Sequence, residues 1–265
     1  MIKNVKGLVL RSVKYSESDK LVTILTEEGK LFFKARGIRS ITSKNAAGCA
    51  AFVYSEFILE QRGDKCFLRK AIPLYSTLRA GASLTALAVA SYLAELSEDT
   101  ARDAETGKMV LRLLMNALYL LAKEDRPVEW IKAVFEMRLL AANGLMPRLE
   151  VCSSCGKEAE AFPSVFFRLT EGDLVCSDCV SSADSGLVRI SREVVALCRR
   201  SIESTEERAY ALKVPQGTLK DFARFSEKYL INQLERKYAT LDFYHQIRHL
   251  PGDTAKTKEE QNESI

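Results

Sequence analysis

The chain has 265 residues, a length that suits two or three small domains better than one large core. Hydrophobic residues account for 47% and charged residues for 28%, which are ordinary values for a globular protein. No apolar run approaches the roughly 18 residues of a membrane span, and charge interrupts the N-terminal apolar run before a signal-peptide core could form. We therefore expect a cytoplasmic protein without a membrane partner, whose seven cysteines are free thiols or metal ligands rather than disulfides.

The formal net charge of +4 hides an asymmetry along the chain. Residues 1–80 contain fifteen Lys and Arg against seven Asp and Glu, a net charge of +8, and the remainder carries −4. A basic region of this kind is typical of a binding site for a polyanion. The alternative interpretation is a charged surface that is only exposed to solvent. The N-terminal region is therefore the candidate nucleic-acid site.

The first 80 residues contain the short β-rich runs that are typical of strands. The stretch LVTILTEEGKLFFKA predicts a hairpin that turns at residues 27–29, and two later runs are joined through Gly63 and Asp64. Five short strands favour a small closed barrel, and the five-stranded oligonucleotide-binding (OB) barrel is the commonest of that size to carry nucleic acid. We expect an OB-fold DNA-binding domain over residues 1–80.

Single-stranded nucleic acid is held by cations along its phosphates and by flat rings on which its bases stack. The polar, basic stretch ARGIRSITSKNAAG between the third and fourth strands supplies some of these cations. The basic candidates in the barrel are Lys14, Lys20, Lys34, Arg36, Arg39, Lys44, Arg69 and Lys70. The candidate rings are Tyr15, Phe32 or Phe33, Tyr54 and Phe67, about half of which must be core residues at alternate strand positions.

From residue 81 the hydrophobic period becomes helical. Residues 81–147 predict a helical domain, with Ser83 as the N-cap of its first helix. Residues 183–250 predict C-terminal helices that pack on this domain. Residues 251–265 are almost without apolar side chains and predict a disordered tail.

Four cysteines between these helical parts form two C-x-x-C pairs: Cys152 with Cys155, and Cys176 with Cys179. The twenty intervening residues suit two knuckles that face each other about a tetrahedral zinc, and they predict a β-hairpin turning at residues 171–173. A thioredoxin-like redox pair would need one C-x-x-C in a βα setting, and an iron–sulfur cluster usually has other spacings. We predict a structural Zn²⁺ module over residues 148–182, because four thiols leave no open coordination position for catalysis.

The remaining cysteines, Cys49, Cys66 and Cys198, have no partner in the sequence and are expected to be small buried apolar residues. The chain has no P-loop, no G-x-G-x-x-G after a strand, no G-x-S-x-G and no H-E-x-x-H. These absences predict a binding protein rather than an enzyme. In fold class we expect a multidomain α+β protein: an OB-type barrel, a helical body and a four-cysteine zinc module inserted before C-terminal helices.

Three motifs occur in one order along the chain. They are G-L-V-L-R with Y-x-E-x-D-K-L-V-T-x-L-T over residues 7–26, A-R-G-x-R over residues 35–39, and N-G-L-x-P-x-L-x-x-C-x-x-C-G over residues 143–156. Together they resemble the bacterial recombination mediator family RecO, and the resemblance covers nearly the whole chain. The chain departs from the family's pattern in one loop. Only Lys44 is basic in the ITSKN that follows ARGIRS, where members of the family often have a more basic loop.

The resemblance implies a nucleoid-associated protein that binds single- and double-stranded DNA and anneals complementary strands. It also implies action with RecR, and often RecF, in loading RecA onto strands covered by single-stranded DNA-binding protein (SSB), whose acidic tail such proteins bind. An acidic tail with an apolar end needs a helical groove edged by cations. The helical body offers Arg112, Lys123, Arg126, Lys132 and Arg138 for that groove.

Two other functions remain open on the sequence. One is an adaptor of transcription or translation, in which the barrel and zinc module contact RNA, a polymerase or a ribosome, because a fold does not determine a function. The other is a nuclease, which would need a carboxylate cluster for Mg²⁺ that no motif indicates.

Overall fold

The structure is a computed structural model that describes residues 1–78, 81–162, 164–181 and 186–248. The chain divides into two compact units, Met1–Asp125 together with the segment from Tyr238 onward, and Arg126–Lys237. This division cuts the predicted helical domain of residues 81–147 after Asp125. The predicted tail of residues 251–265 lies outside the described residues.

The elements alternate between β-rich and helical stretches in the order that the sequence predicts. The strands are β1 Ile2–Lys14, β2 Lys20–Thr26, β3 Gly29–Ala35, β4 Val53–Arg62, β5 Lys65–Ser76, β6 Arg148–Cys152, β7 Ser164–Arg168, β8 Asp173–Val175 and β9 Leu187–Ser191. The α-helices are α1 Leu84–Thr100, α2 Ala104–Lys123, α3 Val128–Ala142, α4 Arg192–Glu203, α5 Glu206–Ala211, α6 Gln216–Leu234 and α7 Ala239–Ile247. The prediction of a mixed α+β chain with five N-terminal strands is confirmed.

Strands β1 to β5 form a closed sheet in the order β1-β2-β3-β5-β4. Neighbouring strands are antiparallel except for β3 and β5, which share one parallel pair, Lys34 with Phe67. The hairpin pairs Thr26 with Gly29 across the turn between β2 and β3, as predicted. Strands β4 and β5 also turn at the predicted position, between Arg62 and Lys65.

The inside of this barrel is one apolar cluster, because alternate residues of each strand face inward. Along β4, for example, buried residues alternate with partly exposed ones. Phe33 and Phe57, whose ring centroids are 5.3 Å apart, lie in this cluster with Val9, Val22, Ile24 and Leu59. The barrel therefore has a hydrophobic core of its own.

Helices α1, α2 and α7 belong to the same unit as the barrel. Ser83 caps α1 by accepting a hydrogen bond from the backbone N–H of Ala86, as the sequence predicts. Helix α2 approaches the β2–β3 turn so closely that a Cβ added at Gly107 would lie 2.5 Å from the backbone nitrogen of Gly29. Helix α7 packs on α1, where the Tyr238 hydroxyl donates to Asp99 over 3.1 Å.

The second unit packs a four-stranded sheet, in the order β6-β8-β7-β9, together with helices α3 to α6. Helices α4 and α6 pack on α3, in which ten of the fifteen residues are buried. C-terminal helices thus contact helices from the predicted helical body in both units. Among the described residues, no helix is both long enough and apolar enough to cross a bilayer.

Candidate metal centre and nucleic-acid interface

The four cysteines of the two C-x-x-C pairs converge in the second unit. Their sulfur atoms all lie within 4.8 Å of one another, and the sulfurs of Cys155 and Cys176 are 3.8 Å apart. Cys152 and Cys176 are buried, Cys179 is partly exposed and Cys155 is exposed. The sequence-based pairing of the two knuckles is therefore matched by the geometry.

Local backbone structure places each sulfur. Cys152 ends β6, and Cys176 directly follows β8, the parallel neighbour of β6, so both pairs begin at one end of the sheet. Gly156 has a positive φ of 74° and its N–H donates to the carbonyl of Cys152, which closes the first knuckle. The N–H of Cys179 donates in the same way to the carbonyl of Cys176.

The backbone also favours a thiolate at Cys152. Burial raises the pKa of this thiol, but the N–H groups of Cys176, Cys155 and Ser154 point at its sulfur and outweigh that effect, lowering the pKa to about 6. The N–H of Cys176 lies 3.3 Å from the sulfur. Such N–H groups stabilise the charged sulfur that a metal ion requires.

These four thiols could hold a metal ion. A tetrahedral centre with metal–sulfur bonds of about 2.3 Å needs sulfurs about 3.8 Å apart, close to the spacing seen. An ion held by all four sulfurs would have a complete tetrahedral site, with no open position for a substrate. Such an ion would link β6 and β8 near their ends.

An ion-pair network supports the same segment. Asp173, buried at the start of β8, pairs with Arg168 through two contacts of 2.8 and 2.9 Å and with Arg148 at 3.2 Å. Burial raises the pKa of Asp173, and the two guanidinium groups, Arg168 first, reverse that effect and lower it. The predicted hairpin is confirmed as β7 and β8, although Asp173 lies in the strand rather than in the turn.

The other three cysteines fit their predicted role to different degrees. Cys49 and Cys198 are buried, and burial raises the pKa of Cys49 to about 12. Cys66 is only partly buried and packs at the border of the barrel core. All three lie outside the metal-type cluster of four cysteines.

Most of the predicted DNA-binding residues converge at one end of the barrel, around the carboxylate of Asp19. This group, the Asp19 cluster, consists of Lys14, Tyr15, Lys20, Lys34, Arg36 and Arg39. Strand register places Lys14 opposite Lys20 and Lys20 opposite Ala35, so residues from three strands meet there.

Asp19 organises the cluster through hydrogen bonds. Its carboxylate accepts from the Lys34 ammonium at 2.9 Å, the Gly37 N–H at 3.0 Å and the Ser18 hydroxyl at 2.9 Å. These donors, Lys34 first, hold the pKa of Asp19 well below its usual range. Arg39 is anchored beside it, because its guanidinium donates to the carbonyls of Ser16 and Glu17.

Two cations of the cluster lie over aromatic rings. The Lys34 nitrogen is 4.3 Å from the centre of the Tyr15 ring, and the Arg36 guanidinium is 4.6 Å from that of Phe67. Within the residues that the structure describes, Lys20 and Arg36 make no ion pair with a carboxylate. Arg36 is exposed and Lys20 partly exposed, so both could pair with phosphate.

The remaining predicted DNA-binding residues lie apart from Asp19. Arg69 and Lys70 are exposed on β5, where Arg69 pairs with Glu60 at 2.5 Å. Lys44 is exposed in the loop between β3 and β4. Most of the predicted DNA-binding residues therefore belong to the Asp19 cluster.

The residues predicted to edge a groove for an acidic tail are divided between the two units. Arg112 and Lys123 lie exposed on α2 in the first unit, whereas Arg126, Lys132 and Arg138 belong to the second. Arg138 is partly buried and donates to the carbonyls of Ser201 and Ser204 at 2.6 and 3.0 Å.

The prediction for Lys132 is wrong. Its side chain is 2% exposed and its ammonium pairs with Glu136 and Glu227, each at 2.7 Å. Burial lowers the pKa of Lys132, but the two carboxylates outweigh burial and raise it, so the lysine stays charged. Helix α3 is apolar over most of its surface, and its pattern gave no sign that a lysine and a glutamate four residues apart were paired inside.

The fold and the cysteine site define a two-unit α+β protein that combines a basic β-barrel with a four-thiol centre of metal-binding type. Residues 1–75 match the family model described as recombination protein O N terminal, and residues 81–242 match the model described as recombination protein O C terminal. The chain therefore belongs to the recombination protein O (RecO) family of DNA repair proteins.

Individual relatives are similar to this chain over nearly their whole length. The chain is 33% identical to the DNA repair protein RecO of Anaeromyxobacter sp. strain Fw109-5, covering 93% of this chain and 97% of the relative. It is 30% identical to that of Alkaliphilus metalliredigens, covering 89% and 95%. It is 29% identical to that of Acetivibrio thermocellus, covering 89% and 94%.

Proposed function

We propose that this chain is a non-enzymatic recombination mediator that binds single- and double-stranded DNA through its barrel and anneals complementary strands. The proposal rests on the Asp19 cluster, in which cations from three strands lie close together. It also rests on the membership of the chain in the RecO family. The proposal extends to the action that the family resemblance implies, which is loading RecA onto SSB-coated strands in the cytoplasm together with RecR and RecF.

Annealing is consistent with such a surface because it needs no covalent chemistry. Two DNA strands repel each other through their phosphates, and cations that neutralise some phosphates reduce this repulsion. Binding by Lys and Arg also releases counterions, so affinity should fall steeply with salt. Lys20 and Arg36, which are not ion-paired among the described residues, are the side chains best placed to do this.

We further propose that the barrel is of the OB type. The five strands follow a closed order, but the junction between β3 and β5 is weak, because these strands share only one residue pair. The OB fold is likewise a five-stranded barrel that is partly open. In that fold, the surface of the second and third strands binds oligonucleotides. The Asp19 cluster lies at the ends of those strands.

We propose Zn²⁺ as the ion of the four-cysteine centre, with a structural role. Zinc prefers four thiolates in tetrahedral geometry and has no redox chemistry, which suits a site with no open position. Cys152, Cys155, Cys176 and Cys179 would hold it.

For the acidic SSB tail, we propose a docking site that uses the exposed cations of α2. Arg112 and Lys123 remain candidates, whereas Lys132 is excluded by its burial and Arg138 is bound to carbonyl groups. Exchange of both α2 residues for Ala should weaken binding of a tail peptide without changing affinity for naked DNA. Unchanged peptide binding would show that the tail binds to another surface of the protein.

The main test is the annealing rate of complementary oligonucleotides coated with cognate SSB, at moderate salt, with and without the protein. We expect acceleration that is lost when the SSB tail is deleted. No acceleration on coated or naked strands would instead favour the alternative function, an adaptor that contacts RNA or a polymerase. Competition between DNA and RNA for binding to the protein would then test that alternative.

A matched pair of variants tests the location of the DNA site. Arg36→Ala should weaken DNA binding and lower the slope of log affinity against log salt by about 1, because one phosphate contact is lost. Lys6→Ala removes the same charge from an exposed residue on β1, which lines a cleft with Glu27, Glu28 and Glu56. It should leave affinity and slope nearly unchanged, and equal effects of the two variants would argue against a localised site.

A further inference from the structure

The outer face of β3 carries one large aromatic side chain that the barrel does not use. Side chains alternate along a strand, and Phe33 points into the core with 1% exposure. Phe32 therefore points outward, with 67% exposure, on the same face as Lys30 and Lys34. A phenylalanine that is two-thirds exposed contributes little to barrel stability, because little of its apolar surface leaves water.

Strand register extends this face across the barrel wall. Phe32 lies opposite Thr23 of β2, which lies opposite Arg11 of β1. In the next outward row, Lys34 lies opposite Leu21, and Leu21 lies opposite Val13, which is 42% exposed. Thr23 is only 9% exposed, and Arg11 pairs with Glu98 at 2.7 Å, so neither is available to a ligand. The accessible residues Phe32, Lys34, Leu21 and Val13, together with Lys30, form a surface that we call the β3 face, with a cation on either side of Phe32.

The two exposed rings near these cations differ in availability. The Lys34 ammonium covers the Tyr15 ring at 4.3 Å and is held there by its ion pair with Asp19. Among the described residues, neither a second ring nor a cation covers Phe32. A base could therefore lie on Phe32 without displacing a protein group. A base that lies on Tyr15 would first have to displace Lys34 from that ring.

The charged side chains beside Phe32 indicate what kind of molecule could bind to its ring. Lys30 and Lys34 lie two residues to either side of Phe32. The Lys30 ammonium donates to the backbone carbonyl of Glu98 at 3.1 Å, and the Lys34 ammonium pairs with the Asp19 carboxylate at 2.9 Å. A ring between cations matches a chain of flat bases joined by phosphates, because aromatic stacking and charge pairing act together in single-strand binding. In a duplex the bases are already stacked inside, so the ring gains nothing from duplex DNA.

We infer that the β3 face is a base-stacking subsite for single-stranded DNA, in which one base lies on Phe32 and the adjoining phosphates face Lys30 and Lys34. This inference rests on the proposed DNA binding by the barrel and adds the residue that distinguishes single strands from duplexes. The Asp19 cluster binds phosphates of either form, and Phe32 adds affinity for the single strand alone.

The first experiment compares Phe32→Ala with Phe243→Ala, a control that removes a phenylalanine of 45% exposure from α7. Affinities for a labelled thymidine oligonucleotide and for a duplex are measured by fluorescence anisotropy. Loss of one stacked base should weaken single-strand binding by Phe32→Ala about tenfold and leave duplex binding within about twofold. Phe243→Ala should match the unmodified protein on both.

The second experiment detects stacking directly, through Phe32→Trp. The chain has a single tryptophan, Trp130, which is 3% exposed, so an indole at position 32 reports from the surface against a buried background. Single-stranded DNA should quench its fluorescence, whereas an abasic strand of equal length should bind without quenching. The abasic strand should also bind equally well to the unmodified protein and to Phe32→Ala.

The outcomes separate this inference from the function on which it rests. If Phe32→Ala keeps full single-strand affinity while Arg36→Ala loses affinity for both forms, DNA binding stands and the stacking subsite is wrong. The β3 face would then be free for a protein contact. If the unmodified protein binds neither form of DNA, both ideas are overturned.

Discussion

The barrel and the four-cysteine segment, residues 148–181, are stabilised by different interactions. The barrel closes five strands, of up to 13 residues, around one apolar cluster. The cysteine segment has three strands of three to five residues, and it combines four converging thiols with the ion pairs of Asp173. The barrel depends on a hydrophobic core of its own, whereas the smaller segment adds these specific bonds to the packing of Phe167 against Phe225 and Tyr229.

The two regions also differ in charge, and this difference bears on function. Residues 1–80 have a net charge of +8, whereas residues 148–181 contain three Lys and Arg against six Asp and Glu, a net charge of −3. Four thiolates around one Zn²⁺ would add further negative charge. DNA should therefore bind the barrel, with the cysteine segment acting as a structural support.

The largest effect that would test this comparison is expected from Cys176→Ser. A buried thiolate ligand is lost, so we expect loss of the metal and unfolding of the segment, because metal binding supplies its folding free energy. Metal content by atomic absorption and hydrogen exchange of residues 148–181 would measure both effects. Cys66→Ser, outside the cluster, is the control, and full metal content in Cys176→Ser would contradict the assignment.

The barrel should respond to loss of apolar contact instead. Phe57 is fully buried against Phe33, and Phe57→Ala should lower the free energy of unfolding by about 3–5 kcal/mol. The measurement is denaturant unfolding followed by a barrel-specific signal, such as exchange protection of β4. Metal content should stay unchanged, and a parallel loss of metal would mean that the two regions unfold as one.

A smaller effect should come from the contact between α2 and the β2–β3 turn. Gly107→Ala places a methyl group against the backbone of Gly29, where it cannot be accommodated without movement, and should cost about 1–3 kcal/mol. Gly217→Ala is the matched control, because that glycine is also helical but has no atom within 4 Å of an added Cβ. The control should be neutral or slightly stabilising by denaturant unfolding.

The smallest effect concerns the acid stability of the barrel. The folded-state pKa of Asp19 is lowered, chiefly by Lys34, so its contribution to stability is present above the unfolded-state value of about 3.9 and is lost as the pH falls towards the folded-state pKa. Asp19→Asn should make the barrel melting temperature depend less on pH below about 4. An unchanged pH profile would show that the Asp19–Lys34 pair does not affect stability.

Several features of this protein follow from local sequence. Strand and turn chemistry predict the hairpin at residues 27–29 and the turn at Gly63, and the capping role of Ser83 depends only on its own helix end. The two C-x-x-C pairs predict the thiol cluster, because metal-ligand spacing is a local property that survives in any fold. The three ordered motifs were enough to indicate the family.

Other features were decided by tertiary packing. Strand alternation separates Phe32 from Phe33, but only the closed barrel determines which of the two rings faces the core. Lys132 looks like a surface cation until α4, α5 and α6 are packed around α3 and Glu227 is brought to it from 95 residues away in the sequence. Burial and long-range pairing depend on the whole fold, whereas turns, caps and ligand spacing depend on a few neighbouring residues. This is why the sequence by itself determined the order of elements and the metal-type site, while the structure decided which cations and rings are available to DNA.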